Sequence, residues 1–483
     1  ATGITVTGTV NGIPFFSDVA NDSMYTHDVS ATDSTATGNT AYGFNALDAI
    51  TTGDYNHAFG SAAGGAITTG ERNILIGHAA GDALTGGSYN VAVGHGALST
   101  EDANGSTTAI GYKALNQQNA GAESYNVAVG FEAGLLITTG IRNTIIGGLA
   151  GDALTTGNYN TAVGYAALSQ EDGHGANVAI GYASLATLNA GGDAFNTAVG
   201  YSAGGNMSTA IRNTVIGGLA GGAITTGADN TFLGYNAGGS ATIGNSNVAI
   251  GQGALETNVA ADRNVAVGYG SLRVATFAST TDTYNTAVGY NSGRQVTSGQ
   301  ANTILGALAG DAITTGSHNI AMGYSALSAE DVGQRSVAIG GFSLSSQNVD
   351  GLNYNVAVGY GAGTAVTTSI NNTLIGSLAG DALTTGSNNT ALGYAALSGD
   401  IVGADNVAVG FGAMSSTDNA RANVAIGYNT LTTLDYSSLT YSHNVAVGFE
   451  AGKTITTGVE NTLIGGLAGD AITTGVRNTV VGY

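Results

Sequence analysis

Cysteine and tryptophan are absent from this chain of 483 residues, and proline occurs once, at Pro14. Without cysteine there are no disulfides, no thiol catalysis and no thiolate metal sites. Charged residues make up 9% of the chain, against roughly 25% in an ordinary soluble domain. Most of the surface must therefore consist of Thr, Ser, Asn, Gly and Ala. An ordinary enzyme does not have this composition, and we expect neither a catalytic site nor a bound cofactor.

The few charges are mostly negative. The net charge is −21, which would repel a phosphate backbone or an anionic lipid surface. No uninterrupted apolar run approaches the roughly 20 residues that a membrane helix needs. We therefore expect no nucleic-acid partner and no membrane insertion.

A short phrase recurs along almost the whole chain. The pattern Asn-(Thr/Val)-Ala-(Val/Ile)-Gly-Tyr, as in Asn160–Tyr165, occurs 26 times between Asn39 and Tyr483. The interval between successive glycines, such as Gly147 and Gly164, is seventeen in twenty cases, nineteen in three and twenty-one in two. A fixed short period predicts a solenoid rather than a set of globular domains. We expect a repeat segment over 39–483 whose last coil is incomplete.

A slower period overlies the first. The variant Ile-Gly-Gly-Leu-Ala-Gly-Asp-Ala, seen whole at Ile146–Ala153, returns once in each block of four or five coils. Extra residues enter at one loop position only. The five enlarged loops are residues 117–124, 188–194, 274–284, 346–352 and 434–442.

Each copy is too short for a helical hairpin, and its Val, Ile and Thr residues favour strand. In Asn126–Gly130, alternation places Val127 and Val129 on one face and Ala128 and Gly130 on the other. We expect a second short strand at residues 154–159. The fold class is therefore all-β, a parallel β-solenoid or β-roll of about 26 coils. Twenty-five steps of about 4.8 Å would give a length on the order of 120 Å.

Residues at equal coil positions form three ladders. The position four before the glycine is Asn in 24 of 26 copies, such as Asn126 and Asn160, with Thr107 and Ser336 as exceptions. We expect this Asn to bond the neighbouring backbone. The glycine is invariant, as at Gly130 and Gly164, and the next residue is Tyr or Phe in 16 copies, including Tyr165, Tyr182 and Tyr201. The aromatic row is interpreted first as coil-on-coil packing, with sugar stacking as the alternative.

A coil this small encloses a core about one side chain thick, much of it Ala. Buried apolar area contributes roughly 25 cal/mol per Å², which offers little against an ordering cost of about 1.5 kcal/mol per residue. The Ala/Gly face would let another backbone approach closely. We therefore expect a homotrimer packed around a common axis, with a lone solenoid as the alternative.

The string Asn-Thr-Ala-Val-Gly-Tyr, spaced by Thr-Thr-Gly as at Thr155–Gly157, resembles the repeats of marine bacteriophage tail-fibre proteins. The Val-Ala-Ile-Gly core at Val178–Gly181 is similar to the head repeats of trimeric autotransporter adhesins. The second resemblance implies left-handed parallel β-rolls assembled as a homotrimeric fibre. The match covers residues 39–483.

Residues 1–38 lack the repeat. Ile4–Val10 alternates like a strand, Asn11-Gly12 is typical of a hairpin turn, and Ile13–Phe16 is apolar. Terminal coils need a cover for their open edge. We interpret this segment as an N-terminal cap or a joint to a preceding module.

Few residues suggest chemistry. The seven histidines show no recurrent metal spacing, so solvated or ladder roles are expected. Acidic pairs recur at Glu101-Asp102, Glu171-Asp172 and Glu330-Asp331, and single aspartates at Asp82, Asp152, Asp311, Asp381 and Asp470. Calcium is the one cofactor they suggest, although turn carboxylates commonly cap backbone amides. Surface recognition is expected in the enlarged loops, at Phe277, Tyr284, Tyr436 and Tyr441.

The repeat and the two resemblances suggest three functions. The first is a structural protein of the virion, a phage tail fibre that acts as a rigid spacer and attaches to a host cell-surface receptor or glycan. The second is a bacterial surface adhesin or an extracellular filament subunit. The third is an ice- or carbohydrate-binding module, which the sparse Thr-Thr-Gly pattern disfavours because an ice-binding face needs threonines on every coil.

Overall fold

The fold is all-β. The computed structural model describes residues 8–10, 13–18, 23–26, 35–277 and 279–483, with backbone alone for 8–18. The chain divides into two compact units, Ala1–Ile243 and Gly244–Tyr483. Within the described residues all regular structure is strand, and none is helix. The predicted parallel β-solenoid of about 26 turns with a 17-residue period is confirmed.

The first unit contains three strands before the repeat and twelve within it. They are β1 Gly8–Val10, β2 Ile13–Asp18, β3 Ser23–Tyr25, β4 Thr40–Tyr42, β5 His57–Phe59, β6 Ile74–Ile76, β7 Val91–Val93, β8 Thr108–Ile110, β9 Val127–Val129, β10 Thr144–Ile146, β11 Thr161–Val163, β12 Val178–Ile180, β13 Thr197–Val199, β14 Thr214–Ile216 and β15 Thr231–Leu233.

The second unit has the same repeat and four additional strands, two in its enlarged coils and two in the coils that precede them. Its strands are β16 Val248–Ile250, β17 Ala261–Asp262, β18 Val265–Val267, β19 Thr281–Asp282, β20 Thr286–Val288, β21 Thr303–Leu305, β22 Ile320–Met322, β23 Val337–Ile339, β24 Val356–Val358, β25 Thr373–Ile375, β26 Thr390–Leu392, β27 Val407–Val409, β28 Asp418–Arg421, β29 Val424–Ile426, β30 Asp435–Tyr441, β31 Val445–Val447, β32 Thr462–Ile464 and β33 Thr479–Val481.

Within each unit, the three-residue strands of the repeat pair in parallel and in register with the strand of the next coil. In β10 and β11, Ile145 lies beside Ala162 and Ile146 beside Val163. The constant spacing therefore brings identical coil positions together, and this is the physical origin of the ladders.

The second strand predicted in each coil is absent from most of the 17-residue coils that the structure describes. Residues 154–159 form bends and turns, and left-handed residues replace a strand, such as Tyr159 at φ 60°. A second strand does form at two enlarged loops of the second unit, where β17 pairs with β19 and β28 with β30. The extra residues supply the length for β19 and β30, and each of these pairs with a short strand of the preceding 17-residue coil.

The large side chain that fills the core comes from different positions in different coils. In one coil the strand provides Ile145, and Gly151 makes room, since a Cβ there would lie 3.1 Å from Ile145 Cδ1 and 2.8 Å from Leu154 Cδ1. In the next coil the strand provides Ala162 and Leu168 fills the space. Either arrangement gives the coil a buried branched side chain, which contributes roughly 1.5–3 kcal/mol.

The two faces of the strand are opposite to the expectation. Ala128 is fully buried, whereas Val127 and Val129 are half-exposed. The small face lines the core because a coil this narrow has no room for two branched side chains from every strand. The premise that the Ala/Gly face receives another chain is therefore wrong, and the outward face carries Val, Ile and Thr.

The segment before the repeat joins the first coil through its backbone. β1 pairs antiparallel with β2, β2 pairs antiparallel with β3, and β3 pairs in parallel with β4. Ser23 Oγ accepts the Asn39 N–H at 3.0 Å, as an Asn side chain does in later coils. Residues 4–7 and the Asn11-Gly12 turn lie outside the described residues.

Candidate functional site

The invariant glycine is required by both conformation and space. Gly130 has φ 145°, and a Cβ there would lie 2.4 Å from the carbonyl oxygen of Gly147 in the next coil. Gly164 repeats this arrangement against Gly181. Any side chain would push two coils apart, so this ladder sets the stacking distance.

The asparagine ladder bonds as predicted. Asn126 Oδ1 accepts the backbone N–H of Asn143 at 2.8 Å, and its Nδ2 donates to the Gly140 carbonyl at 2.7 Å. Asn160 repeats the pattern with Asn177. One side chain therefore closes its own coil and also holds the next.

The two exceptions in the Asn ladder have a structural cause. At Thr107 the smaller side chain admits Gln118, whose Nε2 donates to Thr107 Oγ1 at 3.1 Å and to Glu101 Oε2 at 3.0 Å. Gln347 does the same for Ser336 and Glu330. A buried carboxylate and a buried amide thus replace the asparagine contact.

The aromatic row stacks from coil to coil and still faces outward. The ring centroids of Tyr165 and Tyr182 are 5.6 Å apart, and those of Tyr182 and Tyr201 are 5.4 Å apart. Tyr182 remains 51% exposed. Stacking and external contact are therefore compatible, and the row lies beside the outward Val and Ile residues.

The four predicted recognition residues do not form one site. Tyr284 and Tyr441 are exposed, and Phe277 is half-buried. Tyr436 is 5% exposed, and its hydroxyl donates to the Gly458 carbonyl at 2.7 Å. The expectation of a surface contact at Tyr436 is wrong, because the extended β30 strand turns this residue inward. The two loops are nine coils apart, or about 43 Å at roughly 4.8 Å per coil.

Sequence reasoning missed the Arg and Tyr residues that recur, in several coils, just before the ladder asparagine. Arg72 lies between Tyr55 and Tyr89, with its guanidinium carbon 5.5 Å from each ring centroid. An open groove of about 520 Å³ is lined by Tyr55, Arg72, His57 and Ile74. The recurring Tyr-Asn and Arg-Asn dipeptides were the available signal.

The acidic pairs are not equivalent to one another. The side chains of Glu101, Glu171 and Glu330 are fully buried, and the following aspartate is more exposed at each place. Burial raises the pKa of Glu171 and of Glu330 above the ordinary value. A fourth buried carboxyl, Asp400, occupies the same coil position, and burial raises its pKa to about 7.

The single aspartates form a separate row. Asp82, Asp152, Asp311 and Asp381 each have a buried Oδ1 with no hydrogen-bond partner, and burial raises their pKa values. They lie at least 70 residues apart in the chain and do not cluster. Across the described ranges, one group of three ligating side chains comes together, and it contains Glu171, Asp172 and His174.

Comparison with known proteins gave no match to any family model and none to any curated protein. No helix in the described part of the chain is long and apolar enough to cross a membrane.

Proposed function

We propose that this chain is the repeat segment of a phage tail fibre, a structural protein of the virion. Three copies assemble as a homotrimer of left-handed coils, which acts as a rigid spacer and contributes to host attachment. No chemical step is assigned to it. The resemblance of its repeat to fibre and adhesin-head repeats suggested this role.

The observation that carries the proposal is the outward strand face. On every ordinary coil two residues of the strand point away from the core, and the second is mostly Val, Ile or Leu; Ile146, for example, is 39% exposed. A monomer rarely exposes a continuous apolar strip of this length. Two further copies of the same chain cover the strip and remove it from water. Residues at equal coil positions in the three copies then lie at the same height along the fibre.

Disulfide trapping tests which face is covered. The chain has no cysteine, so Thr144→Cys and Ile146→Cys each introduce a single thiol on the outward face. Under mild oxidation we expect at least one of them to give covalent dimers, because related residues near a threefold axis come within disulfide range. The matched control is Thr156→Cys, an exposed residue on the turn side of the same coil.

Cross-linking of Thr156→Cys alone, with none at positions 144 and 146, would place the contact on the turn side and contradict the assigned face. Monomers from all three variants would argue against a close symmetric contact on this coil.

Receptor contact is assigned to the exposed aromatic surfaces. Rings such as Tyr182 present one half-exposed edge, and the groove beside Tyr55 and Arg72 combines an aromatic wall with a cation. A host glycan or surface receptor is the partner that this chemistry fits.

A bacterial surface adhesin or extracellular filament subunit is the alternative with the same architecture. An antibody to the repeat, applied to intact phage particles and to bacterial cells, separates the two. Label on the tail fibres supports the virion protein, and label on the cell surface alone supports the adhesin. Ice binding is disfavoured because hydroxyls such as Thr138 Oγ1 donate to the next coil, here to Thr155 O at 3.1 Å.

A further inference from the structure

Glu171 differs from the other buried glutamates in its partners. Its side chain is fully buried, and its Oε1 lies 2.9 Å from His174 Nδ1. Its Oε2 is buried and has no hydrogen-bond partner. A buried carboxylate oxygen without a partner is costly, so this position lacks something that the other two glutamates have.

The equivalent glutamates show what is missing. Glu101 Oε2 accepts from Gln118 Nε2, and Glu330 Oε2 accepts from Gln347 Nε2. At the corresponding place after Glu171 the chain has Leu188, which has no donor. The third residue after each glutamate also changes, from Asn104 and Gly333 to His174.

Three ligating atoms converge at this point. His174 Nδ1 lies 2.9 Å from Glu171 Oε1 and 3.8 Å from Asp172 Oδ1. A cation with metal–ligand bonds of about 2.1 Å holds its neighbouring ligands roughly 3.0–3.4 Å apart. Small side-chain adjustments would therefore place all three atoms around one ion.

The three side chains become more exposed in the order Glu171, His174, Asp172. The Glu171 side chain is fully buried, that of His174 is 24% exposed, and that of Asp172 is 55% exposed. An ion can enter from the aspartate side and keep water in its remaining positions, while the buried carboxylate provides negative charge at the inner end.

We propose that Glu171, Asp172 and His174 form a binding site for a first-row divalent cation, with Zn²⁺ as the fitting ion. An imidazole with two carboxylates suits Zn²⁺ and its neighbours, whereas Ca²⁺ and Mg²⁺ prefer oxygen ligands alone. The ion binds Glu171 through Oε1, balances the charge of a buried carboxylate whose Oε2 has no partner, and ties this turn to the solenoid. The site is independent of the proposed fibre function.

Zinc titration of the full chain by calorimetry tests the site. The measurement uses metal-stripped protein carrying His95→Asn, because His78 and His95 place their Nδ1 atoms 3.1 Å apart and provide a competing pair. We expect one Zn²⁺ per chain and a rise in the thermal unfolding midpoint. Cobalt as a second probe should give visible absorption bands that depend on His174.

Two variants remove ligands without disturbing the turn. His174→Asn reproduces the residue at Asn104, and Asp172→Asn keeps the oxygen that accepts the Gly173 N–H. Each should weaken Zn²⁺ binding at least about tenfold, since loss of even an outer-shell partner commonly costs roughly 10–100-fold. The matched control Asp331→Asn, beside Glu330, should leave the affinity unchanged.

Binding that is equal in the His174→Asn, Asp172→Asn and control proteins would overturn the proposal, as would the absence of saturable binding at one ion per chain. A glutamate–histidine ion pair without a metal would give that second result.

Discussion

Glu101 and Glu171 occupy the same place in two coils of the first unit and have different surroundings. Both are fully buried, and the aspartate that follows each accepts the next backbone N–H at 2.5 Å. The residue one period after Glu101 is Gln118, and the residue one period after Glu171 is Leu188. Whether a buried carboxylate is satisfied is therefore decided in the neighbouring coil.

Gln118 is the central member of the first network. The two hydrogens of its Nε2 are shared among three acceptors, Glu101 Oε2 at 3.0 Å, Thr107 Oγ1 at 3.1 Å and Ser124 Oγ at 3.1 Å, while its Oε1 accepts from Asn126 Nδ2 at 2.8 Å. Low local polarity strengthens each bond and raises the cost of losing one.

Gln118→Leu converts the first site into a copy of the second and should have the largest effect. It leaves Glu101 Oε2 with the backbone N–H of Ala120 at 3.3 Å and also removes the bond to Asn126 Nδ2. Each buried polar group that loses a partner costs roughly 1–3 kcal/mol, so the sum is about 3–5 kcal/mol. We expect a fall of that size in the free energy of unfolding, measured by denaturant titration.

The control is the adjacent Gln117→Leu. Gln117 is exposed, so its replacement should stay within about 0.5 kcal/mol of the wild-type chain. Equal effects from the two variants would show that the network contributes nothing specific.

Asp400 extends the comparison to a third kind of surroundings. Its Oδ1 accepts the Gly403 N–H at 2.7 Å, and burial is the main cause that raises its pKa from 3.8 to about 7. The folded chain holds this proton up to about pH 7, whereas the unfolded chain releases it near pH 4. Stability contributed by this group is present at low pH and is lost as pH rises through that window.

Asp400→Asn should remove this loss of stability between about pH 4 and pH 7. At pH 8 the variant should be more stable than the wild-type chain by a few kcal/mol, and at pH 4 the two should be nearly equal. Unfolding midpoints across this range check the prediction, and a difference that does not change with pH would refute it.

Glu101→Gln and Glu171→Gln give the smallest effects and the sharpest contrast. The first replaces an oxygen acceptor in a network of donors, including Asn104 Nδ2 at 3.1 Å, and should cost about 2 kcal/mol. The second removes a charge whose Oε2 has no partner and should change stability by less than about 0.5 kcal/mol. Equal losses in metal-free protein would remove the distinction between the sites.

The period and the ladders could be predicted from the sequence because they depend on spacing alone. Residues equivalent to Asn126 and Gly130 recur at the same interval in successive coils. Parallel stacking brings equivalent residues together whatever the cross-section of the coil. Alternation also identified the two faces of the strand around Ala128. It could not tell which face is inside, since both are apolar, and the narrow core decides in favour of alanine.

Other features depend on the neighbouring coil and are not visible in a local pattern. The turn residue Tyr159 has a left-handed backbone conformation because contacts with the stacked coils hold it there. Strand propensity depends on the local sequence and does not predict this. The sequence places Tyr436 in an enlarged loop, but β30 pairs with β28 and the Tyr436 side chain is buried. The contact between Glu171 and His174 was missed because histidines were judged only by their spacing from one another.

The central claim, that copies of this chain cover the outward strand face, is tested most directly by the mass of the particle in solution. One chain has a mass of 47.4 kDa. Light scattering at micromolar concentration should give three times that mass. A mass of one chain at that concentration would contradict the assembly and leave the apolar face uncovered.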